Sequence, residues 1–501
     1  MKKIYSIAFV SFLTLLSSCT SLDETAFSTT SPEKAFKDIN AVESMVVGGC
    51  YSQARSNSSS HIWATAGDKT FQDNLEFTRF AVQPRNGTMK GIWSGYYKLI
   101  SVSNSIIENI HHVENGTDEQ KNKILGQVHF FRAMSYFYLA RYFGDVPLYT
   151  YEINTPSQVF ELKRNPQSDV YDLIVSDLEE AEKLLPTEWP NEPGRVTKYA
   201  AMTMLAKVYL TMAGSPMNQS EYYAKAAAKS KEIIDTKAFS LGDDFESLFI
   251  PAKQNGHPAI IYQIEYNSLD GYSAPWYTTT SLLDNSNTSN PGLRVGGQFM
   301  ATYPDGPRKE ANFYKTTCAG AVNFLEKYAG EDVVKFNKDK EYFIKDETEQ
   351  FCFTKKYCHI GEGESIDPAG RSDQNTVIFR YAEVLLMYAE AITRANGEPD
   401  ALAKQCLDAV RERAYKGVEA PALTGDFIAD VLNEKRLEFA FEAKNWWDIV
   451  RLKLPLEYEV YQAGSIVPEV LPATHPDRYL MPIPLDEIEL NPNLEQNEGY
   501  F

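Results

Sequence analysis

The chain is 501 residues long, carries a formal charge of −19 and is 13% aromatic. That length can bury a large core, as one extended architecture or as two or three domains. Its acidity repels phosphate backbones, which excludes a nucleic-acid partner.

Lys2 and Lys3 open the chain, residues 4–16 follow as an apolar segment, and Ser17 and Ser18 precede Cys19. This is the charged, apolar, small-residue order of a secretory signal. The segment is shorter than the roughly 20 apolar residues a membrane-spanning helix needs. Leu16-Ser17-Ser18-Cys19 reads more sharply as a lipobox resembling those of bacterial lipoproteins. Residues 1–18 are then a lipoprotein signal peptide, and the mature chain begins at an acylated Cys19. An ordinary secreted protein with a cysteine near its cleavage site is the plainer alternative. Acyl chains anchor by burying methylenes at about 0.8 kcal/mol each, and an acidic surface leaves membrane contact to that lipid. Residues 19–40, rich in Ser and Thr, are expected to be a lipidated tether, and residues 41–501 a single domain.

Beyond Cys19 the cysteines are Cys50, Cys318, Cys352, Cys358 and Cys406, an odd number at irregular spacing and so no disulfide framework. Cys352 and Cys358 can pair in an oxidising compartment. Cys406 falls on an apolar helical stripe and reads as an inert core thiol. With no Cys-x-x-Cys, no His-Glu-x-x-His, no Gly-x-Ser-x-Gly and no Walker loop, the sequence calls for no cofactor and no metal. The acidic "GEGESID", residues 361–367, offers oxygen ligands but lacks EF-hand spacing, so it reads as a solvated loop.

The remainder repeats a helical signal. Trp93, Tyr96, Tyr97, Ile100, Ile107 and Ile110 share one helix face and read as core; Ile124, Val128, Phe131, Tyr138 and Tyr142 do the same on the next helix, which Gly144 ends. A second pair carries Val170, Ile174 and Leu178, then Leu205, Val208 and Met212. A third joins Tyr223, Ala227 and Ile234 to Ala382, Leu386 and Ala389 across a long insertion. A fourth runs from Leu402, Cys406 and Val410 to Val431, Phe439 and Ala440. The expected fold is therefore mostly α: four tetratricopeptide-like helical hairpins, about residues 90–236 and 376–445, packed against an irregular loop-rich insertion, about residues 237–375.

Three segments carry a family resemblance. "FFRAMSYFYLARYFGDVPL" (130–148), "VLNEKRLEFAFEAKNWWDIVRLK" (431–453) and "YLMPIPLDEIELNPNLEQNEGY" (479–500) resemble conserved helices and the terminal signature of the SusD/RagB outer-membrane lipoproteins, with "FRYAEVLLMYAEAITRANG" as a fourth match. Ala443 stands where that family usually has Gly, and Asn445 where it often has Arg. The resemblance implies a lipid-anchored protein of the cell outer membrane, facing the exterior, that captures a nutrient, commonly an oligosaccharide. It further implies delivery to a SusC-like TonB-dependent barrel and no enzymatic activity. Peptide capture on the same architecture and a surface glycoside hydrolase are the other readings. Glu434, Arg436, Glu438, Glu442, Asp448 and Arg451 are expected to form a buried ion network, and Glu383 and Glu390 to bond neighbouring helices.

For the ligand, a flat ring packs on the C–H face of a sugar while polar neighbours bond its rim. Trp276 with Tyr272, Tyr277 and Asn285 lies in the Gly/Asn/Ser-rich insertion, where no helical stripe buries the rings. Trp63, beside the polar "GDKTFQDN" stretch, and Asp73, within it, complete the candidate set.

Overall fold

A computed structural model of the chain describes residues 36–65, 75–190, 192–267, 295–296, 299, 302–313, 335–337, 342–345, 349–352, 354, 356–357, 373–462, 465–470 and 478–500. Helix α1 (Ile39–Met45) starts on Asp38, whose carboxylate accepts from the Asn40 amide, and runs through a widened turn (Val46–Tyr51) into α2 (Ser52–Ala64). Asn86 caps α3 (Gly87–Asn109), and Thr117 with Gln120 forms a reciprocal capping box on α4 (Asp118–Phe143). These caps satisfy amide groups that a helix start leaves orphaned. Helix α4 stops where expected, at Gly144, whose φ of +76° a side chain would resist.

Helices α5 (Gln167–Leu184), α6 (Lys198–Met212) and α7 (Tyr222–Thr236) follow. Beyond the insertion come α8 (Tyr381–Asn396), α9 (Ala401–Ala414), α10 (Phe427–Glu438), α11 (Asn445–Leu452) and α12 (Leu485–Leu490). Successive helices stack from α3 to α9, so the pairs α3/α4, α5/α6 and α7/α8 form as the periodicity predicts. The third closes across the insertion. The fourth is looser, because α9 and α10 each pack chiefly on α8. One core runs through the stack and contains Trp93, Tyr96, Phe131, Leu178, Val208, Leu386 and Val431. Cys50 and Cys406 sit inside it, and burial pushes both thiols up to about 12.

Strands are few and short. Val146–Pro147 (β1) pairs with Arg164–Asn165 (β2). In the insertion, β3 (Ile260–Ile264) pairs antiparallel with β8 (Thr376–Arg380), which leads directly into α8. A four-stranded sheet has the order β4-β7-β6-β5, from Val295–Gly296, Glu349–Cys352, Tyr342–Lys345 and Lys335–Asn337. Glu457–Gln462 (β9) and Ser465–Val470 (β10) form a hairpin.

The expected ion network is present for Glu434, Glu438, Glu442, Asp448 and Arg451, whereas half-buried Arg436 donates to Asn433 Oδ1 at 3.2 Å. Glu438 lies between Arg380, at 2.5 Å, and Arg413, with Arg308 at 2.9 Å on its other oxygen. Glu442 receives Arg380 at 2.9 Å and Lys356 at 2.7 Å. Glu383 joins Lys207 of α6 to Lys444, at 2.6 and 2.7 Å. Glu390, one face along α8, joins Arg451, Lys435 and Arg394 at 2.6, 3.1 and 2.9 Å. Burial opposes ionisation of Glu442 and Glu383, but the cations outweigh it and hold each carboxyl at about 2.

The stretch from 431 to 453 reads in sequence as one helix and is two. Helix α10 ends at Glu438, and Phe441 and Ala443 take φ of +66° and +57°. The turn delivers three carbonyl groups to fixed donors: Arg380 bonds that of Glu438 at 2.7 Å, Lys356 that of Ala440 at 2.9 Å and the Tyr357 hydroxyl that of Phe441 at 2.8 Å. Continuing the helix would strand these donors in a dry interior.

Residues 478–500 sew themselves to the first half of the chain. The Met481 amide donates to the Tyr142 carbonyl at 2.7 Å, and Asn497 Nδ2 to those of Phe143 and Met481 at 2.9 and 2.8 Å. Asn491 Nδ2 reaches the carbonyls of Val159 and Leu162 at 3.1 and 2.9 Å.

Ala443 in the left-handed region carries a penalty of about 1 kcal/mol or more that glycine escapes. We expect Ala443→Gly to raise stability by about 0.5–1 kcal/mol in denaturant titration, after the glycine's own entropy cost; a loss of stability would show that Ala443's methyl group packs too well to give up.

Candidate functional site

The first half of α2 meets the ends of β3 and β8 at one corner of the scaffold. Arg55 donates through Nε to the Glu265 carbonyl at 3.0 Å, and its guanidinium lies 6.0 Å from the centre of the Tyr266 ring. The hydroxyls of Ser58 and Tyr266 are bonded, and the Tyr266 amide donates to Asn375 Oδ1 at 3.0 Å. Asn375 in turn donates through Nδ2 to Asn255 at 2.8 Å. Burial pushes the Glu265 carboxyl up beside them.

Beneath this corner α2 runs close against α3. Gly95 makes the approach possible, since a Cβ there would fall 2.1 Å from Asn57 Oδ1. The close contact sets His61 among tyrosines: its Nδ1 lies 2.8 Å from the Tyr142 hydroxyl, its Nε2 is bonded to that of Tyr96, and its ring centre is 4.2 Å from that of Tyr138. Burial drives the imidazole down to about 3, aided by the charge of Arg141. His61 is therefore neutral at pH 7. Arg141 is held by rings, with its guanidinium 3.9 Å from the centres of both Phe137 and Trp447. A cavity of about 40 Å³ opens here, lined in part by Ser58, His61, Tyr138, Lys207, Lys444 and Trp447. It has room for a water-sized occupant and no more.

Of the candidate ligand residues, Trp63 belongs to the last turn of α2, a helix and not the loop its polar neighbourhood predicts. The serine-rich α2 has no apolar stripe of its own; burial of Ala54, Asn57, Ser58 and His61 against the scaffold holds it helical. Asp73, Tyr272, Trp276, Tyr277 and Asn285 lie outside the described residues, as do Cys19 and residues 361–367. What the structure brings together is the elements that precede them. The described chain runs to residue 65, about two helical turns beyond Ser58, and to residue 267, next to the Tyr266 that Ser58 bonds, so the stretches carrying Asp73 and Trp276 follow a helix and a strand that are bonded to each other. Sequence reasoning missed the His61 cluster; adjacent Tyr96 and Tyr142 were legible only as core. Trp93 and Tyr96 are buried as expected, whereas Tyr97 is half-buried and borders an open groove. Trp446 and Trp447 are core. Among the described residues no cluster of three or more His, Cys, Asp or Glu is placed to hold a metal, and no helix is long and apolar enough to cross a membrane.

A stack of helical hairpins around one continuous core defines a helical-repeat scaffold protein. A profile of the SusD family matches residues 196–500, and one described as "Starch-binding associating with outer membrane" matches residues 25–210. The chain belongs to the SusD family. It is 28% identical to SusD-like protein P2 of Formosa agariphila over the full length of both chains. The structure superimposes on that of a SusD superfamily protein from Parabacteroides distasonis with a TM-score of 0.74 and 25% identity, covering 92% of this chain and 99% of the other. A laminarin-binding SusD-like protein gives a TM-score of 0.70 at 21% identity, covering 93% of this chain and 100% of that one. Members of this family bind carbohydrate and are not catalysts, and this protein is not an enzyme.

His61 predicts a pH dependence. An imidazole whose pKa falls on folding contributes stability above about 6.5, the unfolded value, and loses it as pH drops towards 3. Glu383 and Glu442 add a second loss from about 4.3 downward. The melting temperature should decline from pH 6.5, and His61→Gln should flatten the decline between pH 6.5 and 4.5 while leaving the lower limb. An unchanged slope in the variant would remove His61 as its source.

Proposed function

We propose that the protein is a lipoprotein of the outer-membrane surface, anchored through acylated Cys19, that captures oligosaccharides and hands them to a SusC-like TonB-dependent barrel. The observation that carries this reading is the bonding of α2 to the end of β3, the two elements that the stretches whose composition suits sugar follow. Trp63 lies in the last turn of α2, and Asp73 follows it; Tyr272, Trp276, Tyr277 and Asn285 follow β3. Ring faces and amide or carboxylate groups arriving from two sides can hold a sugar ring between them. Structures of similar fold support the ligand class, one of a laminarin-binding protein and another with a xylogluco-oligosaccharide. The N-terminal profile and the lipobox support the location.

The test uses soluble protein, residues 20–501, against laminarin-, xyloglucan- and starch-derived oligosaccharides and a set of peptides. Retention of an intact oligosaccharide supports the reading, and exclusive binding of peptides overturns it. Binding-site anchors cost about 2 kcal/mol when truncated, so Trp276→Ala should weaken the oligosaccharide roughly ten- to a hundredfold with little change in melting temperature. A variant that melts several degrees lower yet binds normally would make Trp276 a packing residue.

Cys19→Ala removes the acylated thiol. It should abolish fatty-acid labelling and release the protein from outer-membrane fractions; continued labelling at that site's loss would place the anchor elsewhere.

A further inference from the structure

The cavity of about 40 Å³ beneath the corner is lined by two ammonium groups, those of Lys207 and Lys444, and by one carboxylate, Glu442. Its other titratable neighbours, His61, Tyr96 and Tyr138, are uncharged at pH 7, because burial pushes the imidazole down and both phenols up. Lys207 and Lys444 each give one hydrogen bond to Glu383, at 2.6 and 2.7 Å, and make no other among the described residues. An ammonium group has three N–H donors. Both lysines therefore keep donors for the space they line.

Charge around this space does not balance. Glu383 meets two cations, and Glu442 is already held by Arg380 at 2.9 Å and Lys356 at 2.7 Å, with Lys444 at 4.0 Å. Arg141 lies behind Tyr138 and Trp447, two rings of the cavity lining, and has no ion pair among the described residues. Its Nη1 is buried without a hydrogen-bond partner. Five cations, Arg141, Lys207, Lys356, Arg380 and Lys444, thus surround two carboxylates. Following the contacts outward does not correct the excess. Glu438 on Arg380 is shared with Arg413 and Arg308, and Glu434 beyond it meets Arg308 and Arg411. Asp448, on the other flank, is matched by Lys435 and Arg451. Burial and the charge of Arg141 pull Lys207 below the ordinary lysine range, and burial with Lys207 and Arg380 does the same to Lys444. Positive charge left unmatched in a dry interior is costly, and an anion placed there removes the cost.

The volume selects the anion. Space for a water-sized occupant has no room for phosphate, sulfate or a carboxylate-bearing ligand, each several atoms across. A water molecule would satisfy the N–H groups but leave the charge. Chloride is little larger than water, accepts N–H donors from any direction and supplies the missing charge. We propose that this cavity is a chloride site in which one ion bridges Lys207 of α6 and Lys444 of the turn before α11.

The test starts from the mature chain in sodium gluconate, which is replaced stepwise by sodium chloride at constant ionic strength. The melting temperature should rise by about 2–4 °C and then level off, as a single saturable site requires. Crystals grown in sodium bromide should show one anomalous peak in the cavity, in contact with Nζ of both lysines. Lys207→Gln should abolish the chloride-dependent rise, whereas Lys231→Gln, at an exposed ion pair with Asp235, should keep it. Should Lys207→Gln fail to fold, the bromide map of the unaltered protein decides alone. A rise that gluconate reproduces at the same ionic strength, a rise that never levels off, or a full rise in Lys207→Gln each overturns the proposal. So does a map in which bromide appears only at the surface and the cavity holds water.

Discussion

Glu438 is the residue on which the rest of the scaffold turns. One buried carboxylate is shared by Arg380, Arg413 and Arg308, which come from β8, α9 and the insertion. Taking such charges out of water is expensive, and their attraction repays it only when every partner is in place. The arrangement therefore selects one packing of these elements more than it adds net stability. Arg380 then commits Glu442 and, through it, Lys356, so the insertion is locked to the helices before any loop beyond it is considered. Two more carboxylates extend the same logic along α8. Glu383 and Glu390 are seven residues apart in sequence and so lie on one face, where the first holds α6 and the second holds α10 and α11.

The corner inherits its geometry from this lock. β8 runs from the corner, at Asn375, to Arg380 at the centre of the ion network, and its antiparallel partner β3 carries Tyr266 just beyond its end. Helix α2 reaches the same place by a different route, pressed on α3 at Gly95 and bonded to the Tyr266 strand end through Arg55 and Ser58. Loops that must meet a common ligand are best hung from rigid ends. Here one end is fixed by charge and the other by close backbone packing.

Much of this was legible in sequence because helix periodicity and its punctuation are local. The stripes through Trp93, Ile124, Val170 and Leu205, and a stop such as Gly144, mark elements without knowledge of their neighbours. Even the pairing across the insertion could be found, since two half-buried helices of similar pattern lacked partners. The misses have the opposite character. Helix α2 has no stripe and exists because the scaffold holds it, so a polar composition around Trp63 pointed to a loop. The break after Glu438 comes from donors on Arg380, Lys356 and Tyr357, which are distant in sequence. Tyr97 sits on the same stripe as Trp93 and Tyr96, yet the stripe cannot say that α12 stops short of covering it. The aromatic residues of the insertion were chosen for chemistry alone, and the structure contributes only the place from which they depart.

The stitching of residues 478–500 also sets an order in time. These residues leave the ribosome after everything they bond, and they supply donors to the carbonyls at 142, 143, 159 and 162. Until they arrive, the first hairpins can form helix but keep open backbone groups and an uncovered apolar flank, a state of low cooperativity. A nascent chain of this design stays loose for as long as it is being made. Under the export proposed above, late closure of this kind is a built-in delay: the element that completes the fold is the one that comes through last.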